Sequence, residues 1–278
     1  MFIVEDWRLF AHQKLIAWRR NFSTPIFLYG LLISLTYMAF AKFGLSLAET
    51  TSQVTAVWPA TGFALVVLVL GGFRYWPAIY LGALSANLLT NEPLLVAMVI
   101  AAGNTLEAVA GTYLLKRFLG FSGHLDSVDT VLGFVVAAGF ISTLISASIG
   151  TTALAAGQLI NWDNYSSVWL VWWVGDMMGN LIFASFLFIL LGGKLIPSLF
   201  TRPLEWVVLI IGTTTLSLFV FSGQESITAG VDLPYLLFPL VIWSALRFQE
   251  LGAVVSIFII GFVAILGTLN GTGPFVKG

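Results

Sequence analysis

Cysteine is absent from this chain. Disulfides, thiolate metal sites and cysteine nucleophiles are thereby excluded. Histidine is nearly absent: only His12 and His124 occur, and both fall outside the apolar stretches. A bis-histidine haem or a histidine metal cluster within those stretches has no ligands to draw on. Charge is also scarce. Asp, Glu, Lys and Arg make up 9% of the 278 residues, while 59% are hydrophobic. Soluble globular proteins carry roughly 25% charged residues. A chain so poor in polar surface reads as an all-α, polytopic transmembrane helix bundle in contact with a lipid bilayer. The formal net charge of −1 gives no electrostatic case for a nucleic-acid partner. Nothing in the composition calls for a metal or another cofactor.

The apolar residues group into nine segments, at about 25–47, 56–72, 76–90, 93–115, 130–156, 167–192, 204–222, 234–246 and 251–269. A full span takes ~20 residues. The second, third and eighth segments are short, so the expectation is about 8–9 spans. Pro59 and Pro77 stand where they would open helices. The second and third segments, joined by Gly72-Phe73-Arg74-Tyr75, read as two short spans rather than a re-entrant pair. Residues 1–24 mix Trp7, Leu9, Phe10 and Trp18 with Arg8, Lys14, Arg19 and Arg20. They read as a cytoplasmic, interfacial amphipathic segment, and residues 25–278 as one integral membrane domain.

A cytoplasmic amino terminus satisfies the positive-inside rule. It places ten of the twelve basic residues at inner ends, among them Arg74, Lys116, Arg117, Lys194, Arg202 and Arg247; Lys42 and Lys277 dissent. Glu49, Glu92, Asp163, Glu225 and Asp232 then fall in outer loops. Trp58, Trp162 and Trp169 are expected near the outer boundary, and Trp76, Trp206 and Trp243 near the inner one, as an aromatic belt. Nine spans would leave the carboxyl terminus outside. No output domain is expected within these residues.

Two carboxylates break the apolar pattern: Glu107 in the fourth segment and Asp176 in the sixth. An ionised side chain near a bilayer midplane costs at least ~2.5–3.5 kcal/mol on insertion scales. Asn104 shares a helical face with Glu107, and Asn180 shares one with Asp176. Gly103 and Gly111 stand one turn to each side of Glu107, while Gly175 and Gly179 lie beside Asp176. Small residues let a second helix approach, so both acids turn into the bundle. These segment limits separate the acids by roughly 10 Å along the membrane normal. A network through Asn104, Asn180, water and hydroxyls such as Ser142, Ser146 and Thr213 is expected rather than a catalytic dyad. With no cation inside the spans except Lys42, at least one acid is expected to hold a proton at neutral pH. Polar glue between helices, ligand or signal sensing, and a proton or ion path all remain open as roles.

Six short motifs follow in order: WPATG at Trp58–Gly62, RYWPAIYLGALSAN at Arg74–Asn87, GNTLE at Gly103–Glu107, WVGDMMGN at Trp173–Asn180, FPLVIWSALRF at Phe238–Phe248 and GTGPF at Gly271–Phe275. Together they closely resemble the membrane-associated sensor (MASE) domain of the first type. The resemblance implies a bacterial inner-membrane sensory input module. Such modules precede histidine kinase, diguanylate cyclase or cyclic-di-GMP phosphodiesterase domains. A cytoplasmic output domain or partner protein, in cis or in trans, and a small-molecule ligand are therefore the implied partners. The chain is expected to be a fragment or a stand-alone module, and not an enzyme. The candidate sensing network comprises Asn87, Asn104, Glu107, Trp173, Asp176 and Asn180. Trp58, Pro59, Arg74, Trp76 and Arg247 are candidate motif and inner-face anchors. Arg74 and Arg247 either anchor the surface or form a salt bridge. Trp173 either lines a pocket above Asp176 or serves packing or lipid contact. A small-molecule transporter is the alternative, suggested by short segments interrupted by Pro and Gly.

Overall fold

The computed structural model describes residues 24–46, 55, 57–90, 92–191, 198, 201–221, 233–269 and 272. All of the expected amphipathic segment but Thr24, its four basic residues included, lies outside them, as do Lys194, Lys277, Gly273 and Pro274. Among the described residues the chain forms nine helices. They are α1 (Thr24–Leu45), α2 (Pro59–Gly71), α3 (Trp76–Leu88), α4 (Leu94–Leu119), α5 (Val128–Ala156), α6 (Trp162–Leu191), α7 (Pro203–Phe221), α8 (Phe238–Phe248) and α9 (Glu250–Leu269). Each coincides with one of the nine apolar segments. Pro59, Pro77 and Pro239 each sit in the first turn of a helix, where the missing N–H costs nothing.

Six helices are long and apolar enough to cross a membrane: α1, α4, α5, α6, α7 and α9. α2 and α3 have 13 residues each, or ~20 Å, against a hydrocarbon core of ~30 Å. Neither reaches across alone. α2 is nonetheless the most enclosed element: nine of its residues are buried. Its first turn meets α6 at mid-length, where the Trp58 N–H donates to the Gly175 carbonyl (2.9 Å). A Cβ at Gly62 would collide with the Gly179 carbonyl, and one at Gly179 with the Trp58 carbonyl. This close approach is why both positions are glycine. α2 is thus a half-helix that starts at the depth of Gly175 and runs to one end of the bundle. Trp58 consequently sits at mid-depth and not in an interfacial belt.

Apolar clusters define the two ends. At one end Phe121, Phe134 and Phe188 join the turn after α4 to the start of α5 and the end of α6. Beside them Ile189, Trp206, Leu209, Phe248 and Val255 bring in α7, α8 and the start of α9. At the opposite end Val96, Leu154 and Val168 join α4, α5 and α6, and Val220, Leu237 and Val263 join the last helices. Trp206 is 1% exposed and packs against Phe248 in a tilted pair, with ring centroids 4.4 Å apart. It is a core residue and not a belt residue, because α8 and α9 cover it.

Five of the six described basic residues, Arg74, Lys116, Arg117, Arg202 and Arg247, fall at the first end. Arg247 forms a bidentate ion pair with Glu205, and Arg202 donates to the Arg247 carbonyl at 3.2 Å. Arg74 remains exposed over the neighbouring Tyr75 ring, 4.9 Å from its centroid. Lys42, at the other end, is exposed.

Candidate functional site

Both acids lie at the centre of their helices. Glu107 is the fourteenth of 26 residues in α4, and Asp176 the fifteenth of 30 in α6. Each helix runs further than its apolar run suggested, α4 to Leu119 and α6 from Trp162. The expected ~10 Å offset therefore disappears, and the two carboxyls stand within hydrogen-bonding reach of each other. Each is 1% exposed.

A network of side chains from five helices closes around them. From α2, Thr61 donates to Asp176 Oδ1 at 2.7 Å. From α5, Ser146 lies 2.8 Å from Asp176 Oδ2 and 2.9 Å from Asn104 Oδ1. Trp172 Nε1 donates to the Ser146 hydroxyl at 3.0 Å. Asn104 Nδ2 reaches the hydroxyl of Tyr37, on α1, at 3.3 Å. Asn180 Nδ2 donates to Glu107 Oε1 at 3.3 Å and to the Ala138 carbonyl at 2.8 Å.

That carbonyl is free because α5 is under-wound at this level. Residues Val135–Ile141 form a π-helical turn, and the Ser142 N–H bonds to Ala137 in place of Ala138. The Ser142 hydroxyl and Asn180 take up the released oxygen. α6 has its own π-helical turn, Gly179–Ala184, which contains Asn180. Such turns add one residue to a helix and are frequent at functional sites. Here both border the acid pair. Glycines admit the neighbouring helices: a Cβ at Gly103 would press on Ile149, and one at Gly111 on Ser142. Glu107 Oε2 and Asn180 Oδ1 are buried without a donor.

A cleft of about 20 Å³, lined by Thr55, Trp58, Asn87, Ile100, Asn104, Trp172 and Asp176, opens above the pair. It has room for about one water. Asn87 borders it, with its Nδ2 tied back to the Ala83 carbonyl. Trp173 lies elsewhere: it stacks on Trp169 at 5.7 Å and donates to the Phe140 carbonyl. The pocket-side tryptophan is Trp172. It stands four residues before Asp176, one full turn, whereas Trp173 stands three before it and rotates away. That i−4 spacing was the available signal for Trp172. Thr61 was visible only as part of WPATG, and Tyr37 carried no signal in a mostly apolar helix. Thr213, an expected donor, is buried on α7 without a hydrogen-bond partner. Among the described residues no group of three or more His, Asp and Glu side chains could hold a metal ion.

Neither the curated proteins nor the solved structures compared with this chain gave a match. A protein-family model does: MASE1 matches residues 29–278. The chain is thus a member of the MASE1 family, the membrane-associated sensor domains of the first type, which are membrane sensory input domains.

Proposed function

We propose that this chain is a sensory input module of the bacterial inner membrane, and that the network around Glu107 and Asp176 is its sensing core. Its basic end faces the cytoplasm. Its output is a histidine kinase or a cyclic-di-GMP enzyme, joined in cis or bound in trans. One observation carries the reading. Two buried acids are bound by five helices, and among the described residues no cation pairs with either.

Two adjacent carboxyls in a low-dielectric interior cannot both ionise without large repulsion, so the pair holds one proton. A proton on Glu107 Oε2 supplies a hydrogen bond to an atom that otherwise lacks one. Ser146 makes the state of the pair readable. Its hydroxyl has one hydrogen and two acceptors, Asn104 Oδ1 and Asp176 Oδ2. When Asp176 is ionised, the charge-assisted bond is the stronger and Ser146 turns to it. When Asp176 is protonated, Ser146 turns to Asn104. Gain or loss of one proton therefore re-pairs α4, α5 and α6, and Thr61 carries the change into α2. Shifts of ~1–2 Å suffice in other helical switches.

Infrared difference spectra across a pH titration test the shared proton. A carboxyl C=O band is expected, and it should change with Glu107→Gln and with Asp176→Asn. A spectrum with no band sensitive to either substitution refutes it. With the native output domain or partner present, Glu107→Ala and Asp176→Ala should abolish the response of output activity to acidification. An output that still responds leaves the network as scaffold.

A solute permease is the second reading. α2 is a half-helix that begins at mid-depth, an arrangement transporters use around their substrates. Uptake of a labelled solute into proteoliposomes would favour it. The water-sized cleft weighs against it.

A further inference from the structure

A second cavity lies on the membrane-facing side of α2, away from the acids. Its volume is about 420 Å³, within the ~300–1,000 Å³ typical of small-molecule sites. Ile33 and Phe40 of α1, Phe63, Val67 and Leu70 of α2, and Leu187 of α6 form its walls. The lining is almost wholly apolar. At mid-depth the Phe40 and Phe63 rings, 5.4 Å apart, close it. At the basic end it runs out to Gly71 and Tyr75.

Length and charge together identify an occupant. From Phe63 to Gly71 the groove follows eight residues of helix, ~12 Å, close to the ~15 Å depth of one leaflet. Its mouth carries a cation. The Arg74 guanidinium sits over the Tyr75 ring, and among the described residues no carboxylate pairs with it. Lys116 stands nearby, 5.9 Å from the centre of the Phe73 ring. An apolar slot one leaflet deep with an arginine at its headgroup end matches a single lipid chain beneath an anionic headgroup.

We infer that this groove is a binding site for one anionic phospholipid of the leaflet on the Arg74 side. One acyl chain lies between α1 and α6 against α2, and the phosphate pairs with Arg74. The floor of the groove is the same helix that holds Thr61 on Asp176, so occupancy bears directly on the position of α2.

Native mass spectrometry of the protein in mild detergent, with phosphatidylglycerol or phosphatidylcholine added, tests the site. The wild-type chain should retain one phosphatidylglycerol in preference to phosphatidylcholine. Arg74→Gln, at an exposed position, should weaken that preference by roughly fivefold, the worth of one cation near an anionic surface. Val67→Trp should fill the groove and release both lipids. Lipid retained equally by the wild type and by both variants is annular, and that result overturns the proposal. So does a disulfide-linked dimer formed by Ile33→Cys in native membranes, which would place a second copy in the groove. A wild-type chain that retains no lipid overturns it as well.

Discussion

Glu92 lies at the end opposite the arginines, just ahead of α4. It is 7% exposed, and its Oε2 has no partner. Burial lifts its carboxyl from an ordinary value of 4.5 to about 7, while a hydrogen bond from Thr90 pulls the other way. The folded state therefore binds this proton more tightly than the unfolded chain does. Its contribution to stability is complete below the unfolded value and is lost as pH rises through about 7. The wild-type protein in detergent should unfold at lower temperature at about pH 8 than at about pH 5. Glu92→Gln, which mimics the protonated acid, should shrink that difference. An equal drop in the variant would assign the pH dependence to other groups. Ser146 offers a second check at this scale. Its hydroxyl serves Asn104, Asp176 and Trp172 together. Ser146→Ala strands buried polar atoms, and the loss should be about 1–3 kcal/mol in equilibrium unfolding.

α2 is the element on which the site depends. Proline at its first turn and glycine at its contact with α6 let a short helix begin inside the bundle. Its first turn then brings Thr61 to Asp176. The contact is backbone against backbone, so it cannot yield to a side chain. Gly62→Ala and Gly179→Ala should each destabilise the protein by at least about 1–3 kcal/mol and displace Thr61. Gly212→Ala on α7 meets nothing within 4 Å and should unfold like the wild type. Comparable losses at all three positions would mean that this crossing does not set the cost. The π-helical turns belong to the same scale. Each re-aims its helix by one residue, and the bond from Asn180 to the Ala138 carbonyl ties the two together.

The whole molecule has two unlike ends. Arg74, Lys116, Arg117, Arg202 and Arg247 gather at one, and Glu92 and Asp163 lie at the other. The positive-inside rule then sets the orientation we propose. The absence of cysteine makes this simple to test. A cysteine at Ser122, in the exposed turn between α4 and α5, should resist an impermeant thiol reagent in intact cells. A cysteine at Asn161, in the exposed turn between α5 and α6, should react with it. The reverse pattern would invert the topology and place the Arg74 groove in the outer leaflet. The last three helices stand against the rest through α6 and α9, where Phe186 stacks on Phe258 at 3.9 Å. The ion pair of Arg247 with Glu205 fastens α8 to α7 at the basic end.

Much of this was legible from the chain alone. Hydrophobicity in lipid is a local property, so nine apolar runs marked nine helices. Helical spacing is local as well: it placed Asn104 with Glu107 and Asn180 with Asp176, and the flanking glycines turned both inward. Ordered motifs carried the family. Depth was not legible, because polar residues that cap or extend a helix lie beyond its apolar run, as Lys116 and Asp163 do. The half-helix character of α2 was hidden for a related reason: 13 apolar residues look alike at an interface and at mid-depth. Nor did any local pattern announce the π-helical turns, one of whose released carbonyls accepts from a side chain 42 residues away as well as from Ser142. Composition and periodicity determined that two acids face inward in a membrane bundle. Only the packing of five helices decided that they meet, since contact depends on where each helix begins and how closely glycine lets backbones approach.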